Sequence, residues 1–339
     1  MPLSKIQLSS STGRRRLNPN GAMLVSQRAT TKATLINGYN CLDRVYTYKN
    51  HDGVVEESQS TDTPNSEFYN SLKHRVTTAD TSIASTQYHA LSFRLEGNSV
   101  TQLGFGTSGA KKVTVSFWVK SSVAGAYGAA LRNLGGNRFN QATMTINSAD
   151  TWEKKSITYT GDTSGTWPKD NTEGFQLQLS QAMGTAYQGT SADTWVTTVD
   201  VAPSNQVNWL ATVGNTFYIT GLQIEEGSTA TEFEHLSFAE ELALCQRYYS
   251  KISSVDVATY HATSGSSPTE NFTYAQQMRA APTCTLTRQG GDSFNLASIN
   301  QRNITADSFN LYVQATSTNQ MAAFGHNGNP ATYTMEADL

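Results

Sequence analysis

Charge is scarce in this chain: of its 339 residues only 15% are Asp, Glu, Lys or Arg, against 37% hydrophobic and 10% aromatic. Low charge beside ordinary aromatic content excludes intrinsic disorder, which needs high net charge and few aromatics. A net charge of −3 provides no global basic field, so no nucleic-acid partner is expected. Cysteine is nearly absent. Cys41, Cys245 and Cys284 are too few and too far apart for a disulfide framework or a zinc pattern, and read as free thiols suited to a reducing cytoplasm. The eight prolines are too few for a Pro-rich stalk. No apolar run reaches the roughly 20 residues that span a bilayer, and Met1 to Ser10 has no apolar core of signal-peptide length. Membrane insertion and secretion are therefore not expected. Heptads and internal repeats are missing too, so no coiled-coil shaft is encoded.

What is abundant is Ser, Thr, Asn, Gln and Gly, set among alternating segments. Residues 45–49, 88–97, 112–121, 141–147, 152–161, 174–181 and 215–224 carry strand signals separated by Gly, Asn, Asp and Pro clusters. In residues 113–119, Val113, Val115, Phe117 and Val119 share one face, opposite Thr114, Ser116 and Trp118. This predicts an all-β protein: an antiparallel jelly-roll β-sandwich over residues 41–236. Residues 217–222 are strand-like, with Gly221 close to their end. From Ser237 the period becomes helical, with a Ser237–Glu240 capping box and Leu242, Cys245 and Tyr249 on one face. A linker helix over 237–252 thus leads to a smaller C-terminal β domain, 253–339, which has no Lys and no Trp. Residues 1–40 read as a Ser-rich arm with turn signals. Up to residue 42 this end carries Lys5, Arg14, Arg15, Arg16, Arg28 and Lys32 and no acid.

Four blocks resemble tailed-phage virion structural proteins of the tail-fibre, carbohydrate-binding jelly-roll type. They are residues 18–28 (NPNGAMLVSQR) with 39–48 (YNCLDRVYTY), 116–127 with 151–168, 215–249, and the closing YTMEADL. Val45 stands where that family usually has Trp. The resemblance implies a structural virion protein with a jelly-roll core, assembled in the host cytoplasm and, like the fibres it resembles, a homotrimer. It leaves ligand and location open, and the expected function is attachment to host surface glycans as a tail fibre or receptor-binding protein. The alternative it allows is a capsid or tail decoration (cement) protein.

All five tryptophans, Trp118, Trp152, Trp167, Trp195 and Trp209, fall within the expected sandwich. Trp167 and Trp195 sit in turn-rich surroundings where an indole could stack on a sugar while Asp170 and Asn171 satisfy its hydroxyls. The competing reading makes these rings core plugs. Arg14, Arg15 and Arg16 suit docking onto an acidic face of another virion protein, or else a solvated terminus. Glu225 and Glu226 could ligate calcium, though a solvated turn is the simpler reading. The six histidines show no metal spacing. No nucleophile elbow, phosphate-cradling loop or evident carboxylate pair is present. The expectation is a non-enzymatic protein with no cofactor; a depolymerising spike would need a carboxylate pair in a cleft.

Overall fold

The computed structural model describes residues 14–190, 192–255, 257–261, 269–287, 293–316, 320–324 and 331–339. Two six-stranded sheets form a sandwich. In spatial order the first runs Thr31–Lys32, Val54–Ser60, Ser71–Thr78, Thr216–Glu226, Val113–Ser121, Glu153–Tyr159. The second runs Gly38–Tyr39, Tyr46–Asn50, Tyr88–Glu96, Glu173–Met183, Gly125–Asn133, Phe139–Ile146. Every pairing in both sheets is antiparallel. The expected all-β jelly-roll architecture is present. A short parallel pair, Gln188–Gly189 with Ala202–Pro203, is an addition the sequence did not announce.

Strand alternation places the core. Val113, Val115, Phe117 and Val119 are buried between the sheets, facing Leu91, Phe93, Leu95, Leu177, Leu179 and Leu131. Residues 217–222 do not end their strand. It runs on to Glu226, slipping register between Thr220 and Gln223. Gly221 makes this bulge possible: its φ is +62°, and a Cβ there would lie 2.7 Å from the Phe68 ring.

The N-terminal segment corrects the docking-arm expectation for residues 14–40. This stretch packs on its own sandwich. The Leu17 backbone N–H donates to Ile224 at 2.8 Å, Asn18 Nδ2 donates to the Leu222 carbonyl at 3.0 Å, and Met23 and Leu35 enter the core. Residues 1–13 of the expected arm lie outside the described residues.

The helix spans Phe238–Gln246 with the capping box in place: Ser237 N–H donates to Glu240 Oε2 at 2.9 Å and Glu240 N–H to Ser237 Oγ at 3.3 Å. It ends earlier than the 237–252 expected. Tyr249 begins the strand Tyr249–Val255, and the helix buries Glu241 and Cys245 while Leu242 stays half-exposed. Beyond it, among the described residues, nine short strands form three three-stranded sheets around a second core that includes Phe309, Leu311, Val313, Tyr333 and Met335. Cys41, Cys245 and Cys284 are free thiols. Among the described residues no helix is long and apolar enough to cross a membrane.

Candidate functional site

Trp167 and Trp195 meet each other, but as a plug. Their rings lie edge to face with centroids 5.3 Å apart, and Phe105 stands against both at 4.8 and 5.8 Å. Trp167 is 8% exposed. Both indole N–H groups are already used, donating to the Ser164 carbonyl at 3.0 Å and the Thr160 carbonyl at 2.7 Å. The space beside Trp167 is about 10 Å³, room for about one water and no sugar. Asp170 accepts bonds from Thr172 N at 2.9 Å and Thr172 Oγ1 at 2.6 Å, and these hold its carboxyl below its ordinary range. Asn171 turns away, donating to the Arg279 carbonyl while its own carbonyl accepts from Arg279 Nη1 at 3.0 Å. The four residues therefore do not converge on a ligand. This end of the sandwich is a seam to the C-terminal domain.

The arginine run is likewise occupied. Arg16 is fully buried. Its guanidinium pairs with Glu241 and donates to the Asn18 carbonyl at 2.9 Å, and its backbone N–H donates to Glu234 at 2.8 Å. Arg14 donates to the carbonyls of Arg16 at 2.7 Å and Leu17 at 3.1 Å. Arg15 is exposed. Docking on an outside partner is thus replaced, for Arg16 and Arg14, by bonds within the chain; a buried acid on a helix more than 200 residues away cannot be read from the run itself. Glu225 is not the solvated turn residue of the simpler expectation. It is 3% exposed and accepts from Thr231 N and Thr231 Oγ1, both at 2.8 Å, and from Gln223 Nε2 at 2.9 Å. Glu226 is exposed and pairs with Lys111 at 2.7 Å.

Three histidines that lie far apart in sequence line up inside the sandwich. His51 Nε2 is 3.2 Å from His89 Nδ1, His89 Nε2 is 3.3 Å from His74 Nδ1, and His74 Nε2 is 3.1 Å from Glu57 Oε2. Trp209 stacks on His89 with centroids 5.8 Å apart. The rings run in file, and among the described residues no group of three or more His, Cys, Asp or Glu is arranged to hold a metal.

The groove that the sequence did not reveal lies on the outer face of the second sheet. Outward positions of Gly125–Asn133 are Ala126, Gly128, Ala130 and Arg132, since Tyr127, Ala129 and Leu131 point to the core. Small residues here admit backbone. The connection after Met183 lies directly on this strand: a Cβ on Gly128 would come within 2.3 Å of the Val201 carbonyl oxygen, and Val207 N–H donates to the Ala126 carbonyl at 3.0 Å. The strand's other end stays open. There Tyr48, Tyr88, Tyr187, Arg132, Phe139 and Gln178 are among the residues around a cavity of about 240 Å³, with Met183 and Val201 beside them. The tyrosines form a ladder. Tyr48 meets Tyr88 at 6.3 Å and Tyr88 meets Tyr187 at 5.4 Å, both edge to face, and all three are half-buried. Burial and the neighbouring phenols raise the Tyr88 hydroxyl above its ordinary range, so it is a neutral hydrogen-bonding group. Register aligns Arg94, Gln176, Arg132 and Phe139 across four strands. Arg94 stacks on Tyr46 at 3.7 Å and donates to Tyr48 Oη at 3.0 Å, fixing the ladder's end. Flat apolar rings beside an amide and a guanidinium are what a hydroxylated ring requires: one face to stack on, polar groups for its edge.

No protein family matches the chain, and no curated protein does. Solved structures similar to this chain include the following three. The enzymatically active domain of bacteriophage CBA120 tailspike protein 4 is 11% identical over 62% of this chain and 21% of that one, with a TM-score of 0.34. This chain therefore spans about a fifth of that tailspike chain. The family 11 carbohydrate-binding module of a cellulosomal cellulase of Clostridium thermocellum is 13% identical over 60% of this chain and 99% of the module, with a TM-score of 0.31. TmCBM61, solved with β-1,4-galactotriose, is 10% identical over 63% and 100%, with a TM-score of 0.30.

Proposed function

We propose that this chain is a non-enzymatic phage virion protein, a tail fibre or receptor-binding protein, that attaches the particle to host surface glycans through the groove on its second sheet. The observation that carries the binding reading is the Tyr48–Tyr88–Tyr187 ladder facing Arg132 and Gln178 across about 240 Å³. None of the described residues lining it is a carboxylate, so the groove offers stacking and hydrogen bonds, the means of binding. Placement on a virion rests on the sequence resemblance of residues 18–28 with 39–48, 116–127 with 151–168, 215–249, and the closing 333–339. The decoration alternative predicts that the arm and the helix contact shell subunits, whereas residues 14–40 pack on their own chain.

The test is a glycan array probed with the wild-type chain and with a Tyr88→Ala/Tyr187→Ala variant. Removing two stacking rings, each contributing about 0.5–1.5 kcal/mol beyond buried area, should weaken binding about tenfold or more. A folded variant that binds as well as wild type, or a wild type that binds no glycan, overturns the proposal.

A further inference from the structure

Among the described residues, the cation of this groove makes no ion pair. Arg132 stands at its wall, half-buried, with its guanidinium carbon 5.2 Å from the centre of the Phe139 ring. Among the described residues no hydrogen bond or ion pair holds that guanidinium, and its Nε is buried without any partner. The contrast with its neighbour across Gln176 is sharp. Arg94 has the Tyr48 hydroxyl, the Tyr46 ring and Glu173, the last at 3.5 Å. Glu173 is the carboxylate whose charge also reaches Arg132, and it is buried and committed to Arg94. Keeping a guanidinium partly desolvated and unpaired costs free energy unless something completes it. Its fork of donors matches the two oxygens of a carboxylate or a sulfate better than it matches a neutral hydroxyl.

Resting on the glycan-binding reading above, we propose that the ligand of this groove is an acidic glycan, a chain carrying uronate, sialate or sulfate groups, and that Arg132 receives its anionic group while the Tyr48–Tyr88–Tyr187 ladder stacks on a ring. Gln178 is 4% exposed and lies on the groove floor between Ser92 and Ala130, where its amide meets a hydroxyl of the same sugar.

The experiment compares carboxylates with their own methyl esters. Tetragalacturonate, a hyaluronan tetrasaccharide and sialyllactose are each titrated into the wild-type chain beside the methyl ester, which keeps shape and removes charge; a sulfated oligosaccharide is run beside its desulfated form. At least one anionic probe should bind about tenfold to a hundredfold tighter than its neutral partner. That advantage should shrink in about 1 M salt. Arg132→Gln should abolish the difference, and Arg132→Lys, which keeps charge without the fork, should retain part of it. Equal binding of every anionic and neutral pair overturns the acidic ligand and leaves glycan binding standing. An advantage that survives Arg132→Gln in a folded variant removes Arg132 as the receptor. Failure of all probes and of neutral glycans alike overturns both readings. The wild-type comparison holds whether or not a variant folds.

Discussion

Tryptophan and tyrosine have exchanged the roles that composition suggests for them. Trp167 is closed in by Phe105 and Trp195, with its N–H already bonded, while Tyr88 keeps a ring edge and a hydroxyl at the mouth of a cavity. Trp167→Ala should therefore lower stability by about 3–5 kcal/mol, the cost of emptying a large aromatic site, and leave glycan affinity of the folded protein unchanged. Denaturant midpoints and a glycan titration on the same sample check both halves; lost affinity at unchanged stability would return Trp167 to the binding surface. The turn-rich context of Trp167 and Trp195 was visible in the sequence, but their packing was not, because it depends on Phe105, 62 and 90 residues earlier. Arg16 shows the same limit. Its type suggests water, and its burial depends on the distant Glu241 that pairs with it.

Among elements, the informative one is the seam of histidines between the sheets. His74 comes from Ser71–Thr78 in the first sheet, His89 from Tyr88–Glu96 in the second, and His51 follows Tyr46–Asn50. Glu57, Gln181, Lys49, Asp52 and Asp80 complete their surroundings. Burial, helped by Lys49, lowers His51 from the ordinary 6.5 to about 4, and burial with the other two rings holds His89 well below its ordinary value too. The sign follows from linkage: the unfolded chain takes up protons below 6.5 while the folded His51 does not until about 4. Stability is thus full above 6.5 and falls as pH drops toward 4. Urea midpoints across that range should decline for wild type and less steeply for His51→Gln; parallel declines would mean that other groups set the acid limit. Alternation made the Val113–Val119 strand and its partners legible, but the Gly125–Asn133 strand was not. Its Ala and Gly content carries little β propensity, and those same small residues seat the overlying connection and leave the groove at its end.

Across the whole molecule, the two cores are joined by arginines. Arg279 donates to the Asn171 carbonyl at 3.0 Å, Arg28 and Arg44 pair with the Asp338 carboxylate, and Ala337 N–H donates to the Tyr248 carbonyl at 2.8 Å. Arg94 touches both this joint, through the Leu339 carbonyl, and the groove, through Tyr48. The division into a sandwich, a capped helix and a smaller β unit could be read from changes of period and composition. The joint could not, since it is made by charges scattered from Arg28 to Asp338. What the account stands on is the location of binding: the outer face of the second sheet, at the open end of its small-residue strand. Backbone and side-chain NMR shifts followed during titration with a host surface polysaccharide test this directly. The account predicts saturable changes at Tyr48, Tyr88, Arg132, Gln178 and Tyr187, with Trp167 and Trp195 unmoved. Changes centred on Trp167, Trp195 and Asn171, with the tyrosine ladder silent, would contradict it.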